Sequence, residues 1–566
     1  MKTLTLGPLL RHVDGESATI WVETARAASV TVVAGDQRGA ARTFAAHGHH
    51  YALVEVAGLT PATRTPYQVL IDDEVVWPEP DSGFPAPVIP TLGDKPLRMA
   101  FGSCRVSRPH DQAGTDAFGV DALRAFALHL ATDDSERWPD LVLFLGDQVY
   151  ADETSDEMRE FIATRRSLEE PPGEELKDFE EYCHLYKIAW AEPANRWLLS
   201  TLPSAMIFDD HDIRDDWNTS WSWRRDMEAT SWWHDRIVGG LASYWIYQHL
   251  GNLSPADRAD DTLWRRIRDH DGPDELDISE TLDALADSAD QQPDCYRWSF
   301  SRDFGTHARL VVVDSRAARV LQPDRRSILD PVEMEWLDSQ MTGGFDHLII
   351  GTSLPFLMAP GLHHAEAFSE GLCNGAWGKT GARIGERLRR AVDLEHWPAF
   401  QQGFLQVADM TLEVASGARG SAPHTVLYLS GDVHHSYVAS AWPDPAVTDV
   451  TIQGRILQAV CSPIRNPLPP AMVRVMRAGT SKSVGRMVRR LAKAAKVPLS
   501  PLGWSVDQGP WVDNNLAVLE AQDDGGLTMR WFGGDIEGRA TDDPVLKVVA
   551  EIGVPVNQPA QERPQA

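Results

Sequence analysis

Four short stretches of the chain gather side chains that bind cations: Gly102-Ser-Cys-Arg105, Gly146-Asp-Gln-Val-Tyr150, Asp209-Asp-His-Asp212 and Gly431-Asp-Val-His-His435. Among their side chains are the carboxylates of Asp147, Asp210 and Asp432, the imidazole of His434, the phenol of Tyr150 and the thiol of Cys104, with the imidazole of His211 beside a carboxylate. Anionic oxygens select hard cations, whereas thiolate, phenolate and imidazole hold a strongly Lewis-acidic or redox-capable ion such as iron. Two ions about 3.5–4 Å apart, bridged by one carboxylate, bind a phosphate, acidify a bridging water and stabilise a pentacoordinate transition state. Asp147 is the best candidate for the bridge. His211 is then placed to protonate the leaving oxygen or to stabilise the transferring group. Each motif alone has a simpler reading: a Gly-Asp pair is an ordinary turn, and a lone Cys104 is a small buried hydrophobe. Their combination, each after an apolar run, points to a metal site.

Those runs are the elements that must position the side chains. Leu97-Arg-Met-Ala-Phe-Gly102, Leu141-Val-Leu-Phe-Leu145, Ala205-Met-Ile-Phe208 and Val426-Leu-Tyr-Leu429 lead into the four motifs, and Leu310-Val-Val-Val313 and Leu348-Ile-Ile350 are of the same kind. They predict buried strands. In an open α/β sheet the carboxyl ends of strands converge on one edge, so ligands distant in sequence meet there. Glycine at the turn lets the backbone bend sharply. Longer helical or irregular segments between the runs predict an α/β core with large insertions.

Residues 1–95 read differently. Ala18–Val22, Ser29–Val33, Tyr51–Val56 and Tyr67–Ile71 alternate apolar and polar residues between Gly and Pro, which predicts a small antiparallel β-sandwich, and Gly58-Leu-Thr-Pro61 before Tyr67 looks like the corner of a fibronectin-type domain. The Pro- and Gly-rich stretch 79–90 is expected to be a linker. An acidic insertion, 152–200, is expected to be helical; a second, 217–300, holds Trp217, Trp221, Trp223, Trp232, Trp233 and Trp245, for which packing outweighs a substrate wall. The one basic island, 474–496, has helical spacing and can cap the cleft, touch anionic lipid, or pack with its cations outward.

Composition excludes several classes. The 566 residues are 43% hydrophobic and 24% charged, as in folded globular proteins, and the formal charge of -29 disfavours general affinity for nucleic acid or anionic membrane. Five widely spaced cysteines without a CxxC pair argue against a disulfide framework or structural zinc. The start of the chain shows no signal peptide or twin-arginine leader and no span suits a transmembrane helix, so a cytoplasmic location is expected.

The motif order Gly-Ser-Cys-Arg, Gly-Asp-x-x-Tyr-Ala-Asp, Asp-Asp-His-Asp and Gly-Asp-Val-His resembles that of the alkaline phosphatase D (PhoD-like) family of calcineurin-like metallophosphatases, and Gly7–Arg11 with Ala18–Val22 resembles that family's leading domain. The resemblance implies a metallophosphatase-type β-sandwich core flanked by helices over 96–545, behind a small all-β fibronectin- or immunoglobulin-like domain over 1–95, with a flexible tail over 546–566. It implies a binuclear centre of Fe3+ held by Cys104, Asp147, Tyr150 and His434, and Ca2+ held by Asp147, Asp210 and Asp432, with His211 as acid. Arg105 is the candidate phosphate contact, its guanidinium matching phosphate oxygens, with an ordinary ion pair as the alternative. Asp314 and Arg316 are assigned to support of the sheet edge, and His363, His364 and His435 to core or solvent. The implied activity is hydrolysis of phosphate monoesters or diesters by a metal-bound hydroxide. The rival reading is a non-catalytic interaction protein that binds through the amino-terminal sandwich.

Overall fold

A computed structural model describes residues 3–469, 472–474, 476, 482–536, 538 and 541–556. The runs before the motifs are apolar on both faces and form parallel strands buried on both sides. Arg98–Gly102, Leu141–Leu145 and Ser204–Ile207 pair in parallel, and Leu516–Ala521, Leu527–Asp535 and Val545–Val554 extend them antiparallel into a six-stranded sheet. Ala308–Val313, His347–Thr352, Thr425–Ser430 and Arg455–Val460 form a second parallel set. Phe300–Phe304 borders it on one side, Ser436–Pro443 and Leu502–Trp511 on the other, making seven strands.

The two sheets stack face to face. Leu310, Val312, Ile349 and Leu427 share a core with Leu143 and Leu145 of the opposite sheet. The sheets meet so closely that a Cβ on Gly351 would lie 3.1 Å from Leu145 Cδ2. The alternate side chains Val311, Val313, Leu348 and Ile350 face the other way, onto the helices Pro331–Gln340 and Gln401–Ser416 through Leu337, Phe404 and Val407. This is the mixed α/β architecture expected, a β-sandwich flanked by helices.

The amino-terminal region is all-β. One sheet runs Leu4–Val13, Ser17–Thr24, His49–Ala57 and Phe44–Ala46, and the facing sheet runs Gln37–Arg42, Ser29–Ala34, Arg64–Ile71 and Glu74–Trp77. Leu10, Ile20, Val30, Val54 and Val69 fill the space between. The outer face of the first sheet is also apolar, and Leu9, Trp21, Phe44 and Tyr51 join the main core beside Tyr247. Buried Arg11 donates to the carbonyls of Tyr247 (2.9 Å) and Gln248 (2.6 Å) and to Asn252 Oδ1 (3.1 Å), so one guanidinium fastens this region to the large insertion. His49 lies between Glu23 (2.9 Å) and Glu180 (2.8 Å), another crossing contact.

Three local expectations change. The Tyr67 hydroxyl does not fold back on its own domain as a tyrosine corner would; it donates to the Ser200 carbonyl at 2.6 Å, in the helix Pro193–Thr201. The 79–90 stretch is strapped down rather than free, since Val88–Pro90 pairs with Arg64–Ile71 and Trp197 Nε1 donates to the Pro85 carbonyl. The expected flexible tail from 546 is instead the edge strand Val545–Val554, whose alternating residues pair with Leu527–Asp535; positions 557–566 lie outside the described residues.

The acidic insertion folds into the helices Asp156–Arg165, Phe179–Trp190 and Pro193–Thr201. Trp217, Trp223, Trp232, Trp233 and Trp245 are buried in the main core, and Trp221 alone of that group is exposed. The basic island contributes the helix Lys482–Ala494, while Arg477 lies outside the described residues. Among the described residues no helix is long and apolar enough to cross a membrane.

Candidate metal centre

Each motif begins within two residues of a strand end, where the chain leaves the sheet and its side chains turn into the cleft between the two carboxyl edges. Two glycines make this possible. Gly146 has φ +100, and a Cβ there would meet Asp209 Cβ at 2.5 Å; a Cβ on Gly431 would lie 1.9 Å from Ser103 Oγ. Four of the six predicted ligands themselves adopt the left-handed conformation: Cys104 (φ 57), Asp147 (φ 53), Asp432 (φ 64) and His434 (φ 50). Such strain in non-glycine residues persists only where the surroundings impose it, and it gathers at functional sites.

Asp212 ties two of the loops together. Its carboxylate accepts the backbone N–H groups of Asp147 and Asp209, both at 2.9 Å, and of Val149 at 3.4 Å. Asp314 shapes a third loop, accepting the N–H groups of Arg316 (2.7 Å), Ala317 (2.9 Å) and Ala318 (3.0 Å).

Among the described residues, three groups of side chains could hold a cation: two share Asp147, and the third is Asp210, His211 and Asp215. Cys104, Asp147 and His434 offer atoms within 4.8 Å of one another, and so do Asp147, Asp209, Asp210 and Asp432. Cys104 Sγ and the Tyr150 hydroxyl each approach Asp147 Oδ2 at 3.3 Å, so all the predicted ligands converge. Asp209 was not among the expected ligands. Gathered this closely, the buried carboxylates repel one another. Burial, joined by the repulsion of Asp209, Asp210 and Asp212 against the pull of His211, pushes Asp147 well above the usual carboxylate range. Burial likewise raises Asp210 to about 6, despite Arg316 and His211. Burial raises the Cys104 thiol too, with the charges of Asp147 and Asp432 behind it. Asp147 Oδ1 and Asp209 Oδ2 are buried without a hydrogen-bond partner. Buried oxygens of this kind need a partner, and a cation satisfies both the geometry and the charge, so these residues fit a metal centre.

His211 lies on the flank of the carboxylate group. Its Nδ1 faces Asp152 Oδ1 at 2.9 Å, its ring stacks on Tyr150, and Nε2 is 3.9 Å from exposed Asp215. Burial opposes a charge on this ring, but Asp152, Asp210 and Asp147 outweigh it and raise its pKa well above the ordinary value. Asp152 thus favours the charged form of the ring.

Three further side chains belong to the site. Arg316, fully buried, contacts Asp209, Asp210 (3.1 Å), Glu395 (2.7 Å) and Asp432 (3.7 Å), which moves it from the sheet-edge role expected of it to the middle of the carboxylates. His396 faces Asp432 through Nε2 and Glu366 through Nδ1, both at 2.8 Å. Asp152 fixes His211. The Gly-Asp-x-x-Tyr-Ala-Asp pattern contained Asp152 in plain sight, and the apolar run Leu310–Val313 marked the position of Arg316 but not its partners; His396 carries no such signal, because nothing in Leu-Glu-His-Trp distinguishes it from an ordinary loop residue.

Arg105 is not gathered with them. Its Nε and one terminal nitrogen donate to Asp121 (3.0 and 2.8 Å), the cap of the helix Ala122–Leu130, and the other donates to the Ala189 carbonyl at 3.0 Å. With two nitrogens in a buried ion pair and the third on a backbone carbonyl, it clamps the insertion. His363 and His435 are buried, the former against Phe404 and Trp504.

Residues 126–490 match the PhoD-like phosphatase family, and residues 1–89 match a domain of unknown function, DUF7800. The solved structure of PhoD superposes with a TM-score of 0.56, covering 98% of this chain and 90% of that one at 14% identity, a likeness of fold. A maltogenic amylase from S. marinus, 10% identical over 98% of this chain and 82% of its own, reaches a TM-score of only 0.15 and bears on nothing here. Comparison with curated proteins gives no match. A match over well over half of its length, on a fold that carries the motif-bearing loops to one edge, makes this chain a member of the PhoD-like phosphatase family.

Proposed function

We propose that the protein is a phosphoesterase with a binuclear centre, taking iron at Cys104, Asp147, Tyr150 and His434 and calcium at Asp147, Asp210 and Asp432. The observation that carries this reading is the pair of buried, unpartnered carboxylate oxygens, Asp147 Oδ1 and Asp209 Oδ2, between a thiol–phenol–imidazole pocket and an all-carboxylate one. Softer donors suit iron, and an all-oxygen set suits calcium. When bound, such ions supply Lewis-acid charge for the phosphoryl oxygens and for an attacking water.

The chain's own residues do the rest. Arg316 holds Asp209, Asp210 and Asp432 in one array, so the carboxylates do not need to be drawn together when substrate arrives. His396, fixed by Glu366, orients the other oxygen of Asp432. Asp152 engages His211 Nδ1 and stabilises its charge, leaving the proton on Nε2 for the leaving oxygen of the ester. Phosphate monoesters and diesters both meet these requirements.

The test is elemental analysis of the purified protein together with hydrolysis of nitrophenyl and bis-nitrophenyl phosphate. Asp147→Asn is expected to lose metal and activity together, whereas His211→Ala keeps the metals and turns over about 10²–10⁴-fold more slowly. Absence of any transition metal, with neither ester hydrolysed after reconstitution, would sink the proposal.

A further inference from the structure

The chain's formal charge is -29, yet two of its helices run strongly the other way. Gly378–Ala391 carries Lys379, Arg383 and Arg387 on its exposed side, besides Arg390, paired with Asp226 (2.7 Å), and Arg389, buried on Glu370 and Glu386, and residues 482–496 hold six basic residues and no acidic one. Both helices pack on the helix Pro360–Cys373 through small residues. A Cβ on Gly385 would come within 3.0 Å of Leu372 and Cys373, and one on Gly371 would come 3.0 Å from the Ala495 carbonyl. Trp377 links the two, its indole donating to the Ala494 carbonyl.

The faces turned outward are not simply polar. Ile384 (56%), Leu388 (38%) and Val392 (54%) are exposed at one-turn spacing, with Arg383 and Arg387 on the adjoining stripe. Met487 (57%) and Leu491 (40%) repeat the pattern beside Arg490. A solvated helix gains nothing by exposing aliphatic side chains in register, and contiguous exposed apolar surface marks interaction sites. Nucleic acid rewards the cations and leaves the aliphatic stripes in water. A bilayer with anionic headgroups rewards both, which is the signature of helices that lie in the membrane interface.

We propose that this face docks on an anionic lipid bilayer, with the aliphatic side chains at the acyl boundary and the guanidinium groups on headgroup phosphates. The location gives the contact a consequence. The first helix ends at Ala391, and within five residues the chain supplies Glu395, paired with Arg316, and His396, paired with Asp432. A docked bilayer therefore sits one short loop from the centre; that a headgroup phosphate ester reaches it rests on the phosphoesterase reading.

The experiment is co-sedimentation of the full chain with phosphatidylcholine vesicles and with vesicles containing phosphatidylglycerol. Binding is expected to the anionic vesicles only and to weaken as salt is raised. Ile384→Ser with Met487→Ser, and separately Arg387→Gln with Arg490→Gln, should each lower the partition coefficient about tenfold, with nitrophenyl phosphate turnover and thermal midpoint unchanged. No binding to anionic vesicles overturns the proposal. So does binding that ignores the aliphatic change, which would assign the face to an acidic polymer, and so does a dimer in light scattering that the same changes dissociate. Failure of the catalytic reading looks different: vesicle binding intact, with nitrophenyl phosphate untouched by any variant or by the parent.

Discussion

At the centre, the proposed roles divide between one residue for the proton and several for the metals. His211 acts through Asp152, whose charge is the strongest of those raising the imidazole. Asp152→Asn keeps the shape and removes the charge, so the pKa of His211 falls. If the imidazole is the acid, the alkaline limb of the kcat profile moves to lower pH, and turnover at a pH on that limb drops on the order of tenfold for each unit of that fall. A profile that scales down without shifting would make Asp152 a packing residue. The left-handed conformations of Cys104, Asp147, Asp432 and His434 explain why these positions were legible: each follows a strand whose end could be read from an apolar run and a glycine. The position of Arg316 was legible but its role was not, and His396 was not legible at all, because their importance lies in partners such as Asp209 and Asp432, which are far away in sequence.

Strands and turns set the precision with which those residues meet. Parallel pairing sends Leu141–Leu145 and Ser204–Ile207 out at the same edge, and Gly146 turns Asp147 into the cleft across Asp209. Gly146→Ala must hold φ near +100 and push a methyl group into Asp209, so it is expected to destabilise the fold by about 1–3 kcal/mol and to release metal. Thermal unfolding and elemental analysis of the variant check both effects; a protein as stable and as metal-loaded as the parent would mean that the turn can relax. The parallel strands were visible in the sequence because burial on both faces writes continuous apolar runs. The antiparallel strands Leu502–Trp511 and Val545–Val554 were not, since their half-exposed alternation, broken by Gly, Pro and charge, resembles loop or tail.

For the whole molecule, the question is how an amino-terminal sandwich that reads as a separate module behaves when it shares a core with the rest. Arg11 reaches residues more than 230 positions away, and Tyr67 bonds to Ser200; no local pattern announces either contact. His49 makes the coupling measurable. Burial lowers its pKa, but hydrogen bonds with Cys183, Glu23 and Glu180 prevail and push it up to about 11. A folded pKa above the unfolded value of about 6.5 means that the charged ring stabilises the native state fully below pH 6.5. That contribution drains away as the pH rises toward about 11. His49→Gln is therefore expected to unfold several degrees below the parent near neutral pH, with the gap narrowing steadily in alkaline buffers. Because Glu180 belongs to the insertion and Glu23 to the sandwich, one cooperative transition should shift as a unit. A separate early transition confined to the sandwich, or a gap independent of pH, would show instead that the two regions unfold independently.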